Sequence, residues 1–153
     1  MERGHPAGMH DLAELRRQAA GCTVCELYAD ATQTVFGSGS PGASMMLVGE
    51  QPGDREDIEG EPFVGPAGGV LERAGVTRTD VYVTNVVKHF RFRRESRESR
   101  ERQVRSHRTP GVEHVRACLH WLHGDLAAVR PPLLVTLGAT AAKALLGTSF
   151  RLT

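Results

Sequence analysis

The feature that constrains the fold most is an apolar run that ends at a glycine and passes into carboxylates, at residues 45–57. The run Met45–Val48 is short and continuously apolar, which is typical of a strand buried on both faces of a parallel sheet. Ligands of open α/β sheets bind beyond the carboxyl ends of such strands. The polar residues after Gly49 are therefore predicted to line a binding site, although Pro-Gly-Asp is also common in ordinary surface turns.

Two later runs extend this prediction to a sheet. Residues 81–87 are rich in β-branched side chains and predict a second buried strand, with Asn85 near its carboxyl end and beside Glu50. Residues 133–137 predict a third buried strand. Helical patterns are predicted over residues 12–20, 66–74, 110–130 and 139–146, the third of these with Thr109 as N-cap and one face firmly in the core. The predicted class is α/β, with a short central parallel sheet in a three-layer α/β/α arrangement.

Composition limits the function classes. The chain has 153 residues, 40% of them hydrophobic, and no apolar run long enough to span a bilayer, so we expect one cytoplasmic, monomeric domain over residues 1–153 with no membrane role. Residues 1–10 lack the apolar stretch of a signal peptide and are predicted to be disordered. Three cysteines argue against a disulfide framework. A net charge of +1 means that any affinity for nucleic acid requires local basic clusters.

A lone aromatic residue, Phe63, lies in the loop at residues 58–68 between prolines and glycines, where its ring can stack on a flat ligand. The motifs Gly-Glu-Gln-Pro-Gly-Asp at residues 49–54 and Pro-Phe-Val-Gly-Pro-Ala-Gly at residues 62–68 resemble those of the iron-sulfur uracil-DNA glycosylases of family 4. They are most similar to the UdgX-type branch. The resemblance covers residues 22–153.

The resemblance implies a role for each matching residue. Phe63 stacks on a flipped uracil, Asn85 and the loop backbone near Gln51 bind the edge of the base, and the carboxylates of Glu50 and Asp54 stabilise positive charge on the sugar. In the UdgX-type branch a loop histidine, here His107, attacks the sugar C1′ and leaves the protein attached to the abasic site. Glu50 is the expected partner that fixes the tautomer of this histidine.

A basic segment occupies residues 91–108, and its middle, residues 93–102, is predicted to be a charged helix or a disordered arm. Solvated filler is an alternative for the Glu/Ser/Arg repeats. The sequence Arg105-Ser106-His107-Arg108-Thr109-Pro110 resembles the histidine-ending loop of UdgX-type enzymes. We expect Lys88, Arg105 and Arg108 to contact phosphates of uracil-containing DNA, with single strands preferred.

The spacing Cys22-Thr23-Val24-Cys25 lets two thiolates converge on one metal centre, although buried structural cysteines, redox pairs and zinc sites share it. Cys118 lies on the predicted core face of the longest helix. Relatives carry a further cysteine after Val-Val-Lys, where this chain has His89. The resemblance implies a [4Fe-4S] cluster held by Cys22, Cys25, His89 and Cys118, and the same donors suit a structural zinc ion.

Relatives continue beyond the position of Thr153 through a further strand and a His-Pro-Ser loop that stabilises the departing uracil. The resemblance therefore implies a C-terminally incomplete chain with a weakened active site. Two alternatives remain to covalent excision. One is a non-catalytic iron-sulfur DNA-binding remnant, and the other is an ordinary hydrolytic family-4 glycosylase.

Overall fold

The computed structural model describes residues 11–96 and 103–153. Within them the strands are β1 (Met45–Gly49), β2 (Val81–Asn85), β3 (Phe92–Ser96), β4 (Gln103–His107) and β5 (Leu133–Thr136). The α-helices of this part of the chain are α1 (Leu12–Ala19), α2 (Asp54–Glu59), α3 (Pro66–Arg73), α4 (Val112–Val129) and α5 (Ala139–Leu146). None of these helices is long and apolar enough to cross a membrane.

Strand β1 is the centre of a parallel sheet that has the order β2-β1-β5 in the described residues. Alternate side chains of the sheet enter separate cores, because successive residues of a strand point to opposite faces. Met46, Val48 and Tyr82 pack with residues of α4 and α5, whereas Leu47 and Val83 pack with Leu71 of α3. Helices thus cover both faces, and the predicted α/β class with a parallel sheet is confirmed.

The strand β5 differs from the prediction of a third buried strand. The side chain of Leu133 is 53% exposed and that of Leu134 is 38% exposed. Strand β5 pairs with β1 along one edge, and no strand in the described residues pairs with its other edge. The apolar sequence therefore predicted the presence of this strand correctly, but not its degree of burial.

The longest helix, α4, begins at Val112 and not at Pro110. Its N-cap is Gly111, whose amide donates to Nδ1 of His114 at 2.8 Å, and this side chain completes the cap in place of the predicted Thr109. The later start leaves Val112 exposed. The buried side of the helix includes Cys118 and Leu122, as predicted for its core face, and also the polar residues His114 and Asp125.

An antiparallel hairpin, β3–β4, replaces the predicted charged helix or disordered arm wherever that segment is described. Phe92 pairs with His107 and Ser96 pairs with Gln103. The guanidinium of Arg105 lies 5.5 Å from the ring centroid of Phe90 and 5.0 Å from that of Phe92, which gives the hairpin a packed face. Residues 97–102, and the N-terminal ten residues for which disorder is predicted, lie outside the described residues.

Candidate active site

A cavity of about 190 Å³ opens at the carboxyl ends of β1 and β2. Typical pockets for drug-sized ligands measure about 300–1,000 Å³, so this cavity suits a single small planar ring. Its lining combines the loop after β1, the Phe63 loop, the end of β2 and the end of β5. The lining residues are Gly49, Glu50, Gln51, Glu56, Phe63, Ala67, Asn85 and Leu137.

The side chains of Phe63 and Asn85 meet above Gly49. A methyl group on Gly49 would lie 2.5 Å from Oδ1 of Asn85 and 3.0 Å from Cζ of Phe63, so only glycine leaves both side chains in place. Phe63 has a φ of +57°, a left-handed conformation that costs free energy in a residue other than glycine. Gly68 permits it, because a side chain at that position would overlap the Phe63 carbonyl. The backbone is thus arranged to hold a ring and an amide together at the cavity.

The side chain of Gln51 binds the base of the hairpin. Its Nε2 donates to the carbonyl of Arg108 at 2.9 Å and to that of Arg91 at 3.2 Å, while its Oε1 accepts from the amide of Arg91 at 2.9 Å. Both amide protons of the side chain are therefore engaged by the two chain segments at the base of the hairpin. Gln51 lines the cavity and its side chain holds the hairpin, so the predicted contact with the uracil edge falls to the loop backbone near Gln51 and stays a prediction.

The hairpin places His107 next to Glu50. Nε2 of His107 lies 3.3 Å from Oε1 of Glu50, as expected for the predicted partner of this histidine. The other oxygen of Glu50, Oε2, accepts a hydrogen bond from the hydroxyl of Thr140 near the start of α5. The His107 side chain is 52% exposed, and its Nε2 faces the carboxylate. The catalytic roles of Glu50 and His107 stay predictions.

Arg105 forms ion pairs within the protein. Its Nη1 donates to Oδ2 of Asp57 and its Nε lies beside Oδ1 of Asp54, both at 2.6 Å, and its side chain is 15% exposed. Asp57 is fully buried and also accepts from the amide of Thr32 at 2.9 Å. These ion pairs fasten β4 to α2. They correct one prediction, because Arg105 is not a free phosphate contact. The side chain of its partner Asp54 is 52% exposed, and the catalytic role of Asp54 stays a prediction.

Lys88 is not a DNA contact either. Its side chain is 1% exposed, and its ammonium lies 2.7 Å from Oδ2 of the fully buried Asp125. A buried ammonium group without a partner is unfavourable, so this pairing explains why a lysine is tolerated inside the domain. Of the three predicted phosphate contacts, Arg108 alone has an exposed side chain.

The predicted metal ligands come from separate parts of the fold: Cys22 and Cys25 follow α1, His89 follows β2, and Cys118 lies on α4. Nε1 of Trp121 donates to Sγ of Cys22 at 3.3 Å, and Cys25 packs against the core cluster that contains Cys118. Burial raises the pKa of the Cys118 thiol to about 11, and the neighbouring Cys25 and Cys22 act in the same direction. The three thiols therefore lie close enough to one another to interact electrostatically.

His89 presents an unused nitrogen. Its Nε2 lies 2.9 Å from Oγ1 of Thr34, whereas its buried Nδ1 has no hydrogen-bond partner among the described residues. Burial lowers the pKa of the imidazole, which favours the neutral form that a metal requires. No group of three His, Cys, Asp or Glu residues in 11–96 and 103–153 is arranged to hold one metal ion. The ligands of a cubane cluster lie farther apart than those of a single ion, because each of them binds a different iron.

The sequence profile of the uracil DNA glycosylase superfamily matches residues 36–153, which include the whole cavity and the hairpin strands. This chain belongs to that superfamily. The match begins after Cys22 and Cys25, so it does not bear on those two predicted ligands. Superfamily membership agrees with the parallel sheet and with a site at the carboxyl ends of its strands.

Similar proteins within the superfamily are named type-4 uracil-DNA glycosylases. The protein of Thermotoga maritima is 38% identical over 124 residues, which cover 78% of this chain and 58% of the relative. Those of Archaeoglobus fulgidus and Pyrobaculum aerophilum are each 37% identical, covering 88% and 89% of this chain and 63% and 65% of the relatives. The chain thus spans about three-fifths of the length of these relatives. Their names do not include the UdgX-type branch, so that finer assignment stays a prediction.

Two residues at the site were not predicted. Thr140 follows β5 and orients Glu50, and the rule that singled out Glu50 and Asn85 at strand ends also applies to it. Glu56 lines the cavity and accepts from the amide of Gly65 at 3.2 Å, which fixes the loop that carries Phe63. No local pattern separates Glu56 from the other carboxylates around it, because its importance comes from a contact nine residues along the chain.

Proposed function

We propose that this chain excises uracil from DNA. The observation that carries the proposal is the cavity at the carboxyl ends of β1 and β2, where Phe63 and Asn85 converge above Gly49. The names of the type-4 relatives support the same activity. A base enters such a pocket only after it has left the helical stack, and a narrow, half-buried cavity is suited to a base that has been flipped out.

Asn85 is the residue we assign to base recognition. A side-chain amide offers one acceptor and one donor group, which complements the N3–H donor and the neighbouring carbonyl of uracil. Cytosine presents an acceptor and an amino group at the same positions and would leave the amide of Asn85 mismatched. Phe63 supplies the stacking surface for the ring. The Asn85 side chain is buried, so a mismatch would not be relieved by water.

The finer proposal is that His107 captures the sugar. The bond between C1′ and N1 of uracil breaks and its electron pair leaves with the base, while the lone pair of Nδ1 forms a new bond to C1′. The proton on Nε2 is then shared with or passed to Oε1 of Glu50, which lies 3.3 Å away. The uracil anion takes up a proton from solvent. The protein stays joined to the abasic sugar.

A hydrolytic outcome is the second candidate, and the type-4 names of the relatives favour it. In this case Glu50, held by Thr140, accepts a proton from a water molecule that attacks C1′. Both routes use the same cavity and the same carboxylate. They differ in whether nitrogen or oxygen bonds to the sugar.

The test is incubation with a uracil-containing single-stranded oligonucleotide, followed by denaturation and electrophoresis. A heat-stable protein–DNA band that His107→Ser abolishes supports capture by His107, and free abasic product without that band supports hydrolysis. His123→Ser is the matched control, because His123 is an exposed histidine on α4. DNA binding without the covalent band and without free abasic product would support the remaining alternative, a non-catalytic DNA-binding remnant.

We also propose a [4Fe-4S] cluster on Cys22, Cys25, Cys118 and His89, with a structural zinc ion as the alternative. The soft thiol donors and the unpartnered Nδ1 of His89 support it. When bound, such a cluster would cross-link the segment after α1, the end of β2 and α4. Anaerobically purified protein is expected to be brown and to contain iron and sulfide. Zinc without iron would favour the alternative.

A further inference from the structure

The ammonium group of Lys88 is fully engaged inside the protein. It donates to Oδ2 of Asp125 at 2.7 Å, to Oγ1 of Thr84 at 2.5 Å and to the backbone carbonyl of Asn85 at 2.7 Å. A lysine ammonium has three protons, so each of them has a partner. The same group lies 5.3 Å from the ring centroid of Phe36. Its position is therefore fixed from several directions.

Asp125 holds this arrangement from α4. Its Oδ1 accepts from the hydroxyl of Tyr82 at 2.7 Å, and its Oδ2 accepts from Thr84 at 2.8 Å as well as from Lys88. The carboxylate is fully buried, and the network joins α4 to both ends of β2. A buried ion pair is generally no better for stability than well-packed apolar residues of similar volume. Stability alone therefore gives no reason for this pair.

The third bond of Lys88 connects the network to the cavity. Asn85 has its carbonyl held by Lys88 and its Oδ1 against Gly49, so the backbone and the side chain of the same residue are both fixed. The amides of Val86 and Val87 continue the pairing to Gly49 and Glu50, at 2.9 and 3.0 Å. A rotation of the Asn85 peptide would turn the side-chain amide away from its ligand.

We propose that the buried Lys88–Asp125 pair is a positioning device that sets the direction of the Asn85 amide, and thereby the fit of the site to a uracil edge. The expected effect of this pair on the reaction rate rests on the proposed function, the excision of uracil. Lys88 and Asp125 touch neither the base nor the sugar. They act through the Asn85 carbonyl.

The experiment compares the single variants Lys88→Met and Asp125→Asn with the double variant. Each single variant leaves one buried charge unpaired and is expected to lower Tm strongly, whereas the double variant removes both charges and is expected to recover most of that Tm. The amide that replaces Asp125 can still accept from the hydroxyl of Tyr82 or Thr84, and its NH₂ can donate to the hydroxyl oxygen of the other. If the pair positions Asn85, the recovered double variant still releases uracil about 10–100-fold more slowly than the wild type in single turnover.

Tyr82→Phe is the matched control, because it removes a hydrogen bond of the same carboxylate on the side away from Asn85. It is expected to lower Tm with the rate unchanged. A double variant that recovers both Tm and the wild-type rate would overturn the inference, since the pair would then be merely structural.

A second readout does not depend on excision. The side-chain NH₂ resonances of Asn85, assigned by their loss in Asn85→Ala, are expected to be sharp in the wild type and broadened or doubled in the double variant. Unchanged resonances would overturn the inference. If the wild type releases no uracil from a single-stranded oligonucleotide, the proposed function fails, and these resonances still decide the role of the Lys88–Asp125 pair.

Discussion

The hydroxyl of Thr140 donates to Oε2 of Glu50. Because this bond occupies one carboxylate oxygen, the other, Oε1, is directed to Nε2 of His107 at 3.3 Å. Thr140 belongs to α5 and His107 to β4, so Glu50 joins the parallel sheet side of the molecule to the hairpin. The orientation of the histidine thus depends on a residue that reaches it only through Glu50.

Replacing Thr140 by Val is expected to slow uracil excision and adduct formation by about 10–100-fold, because Glu50 then loses the bond that fixes its rotamer. Thr140→Ser keeps the hydroxyl and is the control, with a rate near that of the wild type. Single-turnover kinetics on a uracil-containing oligonucleotide give both rates. A slow Thr140→Ser protein beside a fully active Thr140→Val protein would show that the methyl group, and not the hydroxyl, matters.

Replacing Gly49 by Ala is expected to reduce excision by about 10²-fold or more, because the added methyl group displaces Asn85, Phe63 or both from the geometry of the site. Gly42→Ala is the matched control, since its methyl group would make only an ordinary contact, 3.7 Å from Oγ of Ser40. The measurement is the initial rate of uracil release. A fully active Gly49→Ala protein would contradict the assigned cavity.

Replacing Arg105 by Ala is expected to loosen the hairpin and lower stability by roughly 1–3 kcal/mol, because Asp54 and the buried Asp57 lose a charged hydrogen-bond donor. Hydrogen exchange at the amides of β3 and β4 should accelerate, and capture by His107 should fall with it. Arg108→Ala provides the contrast. Its exposed charge is expected to affect DNA affinity and to reduce the slope of log K against log salt by about 1, with no effect on exchange.

Replacing Gln51 by Ala is expected to affect the covalent adduct more than uracil release, because the side chain joins the two segments at the base of the hairpin. Without it the carbonyls of Arg91 and Arg108 lose a shared donor, and His107 loses its fixed distance from Glu50. The ratio of adduct to free abasic product is the measurement. A parallel loss of the adduct and the free abasic product would instead show that Gln51 is needed for excision itself.

The parallel sheet and the location of the cavity were predictable because they depend on local pattern. Apolar runs that end in a glycine or an amide predict strand ends, and the carboxyl ends of parallel strands meet at one edge. The pairing of Glu50 with His107 was predictable only through the resemblance. No spacing rule brings together two residues so far apart in the chain.

The wrong predictions concern side chains whose partners are remote in sequence. Lys88 looks like an exposed cation until Asp125 is placed beside it, and Arg105 looks free until α2 supplies Asp54 and Asp57. Most residues of the hairpin are charged or polar, and the contacts that hold it include Arg105 over Phe90 and Phe92. Charge and local propensity alone therefore do not show whether such a side chain is exposed or paired, because this depends on tertiary contacts.

The register of the hairpin also bears on how the site tolerates change. His107 pairs with Phe92 at the end next to Gln51, whereas positions 96 and 103 pair at the opposite end. Residues added or removed between those two positions would lengthen or shorten the hairpin away from its anchored base. Such a change of length would leave the distance from His107 to Glu50 unaltered, so the reactive end of this element is insulated from changes at the opposite end.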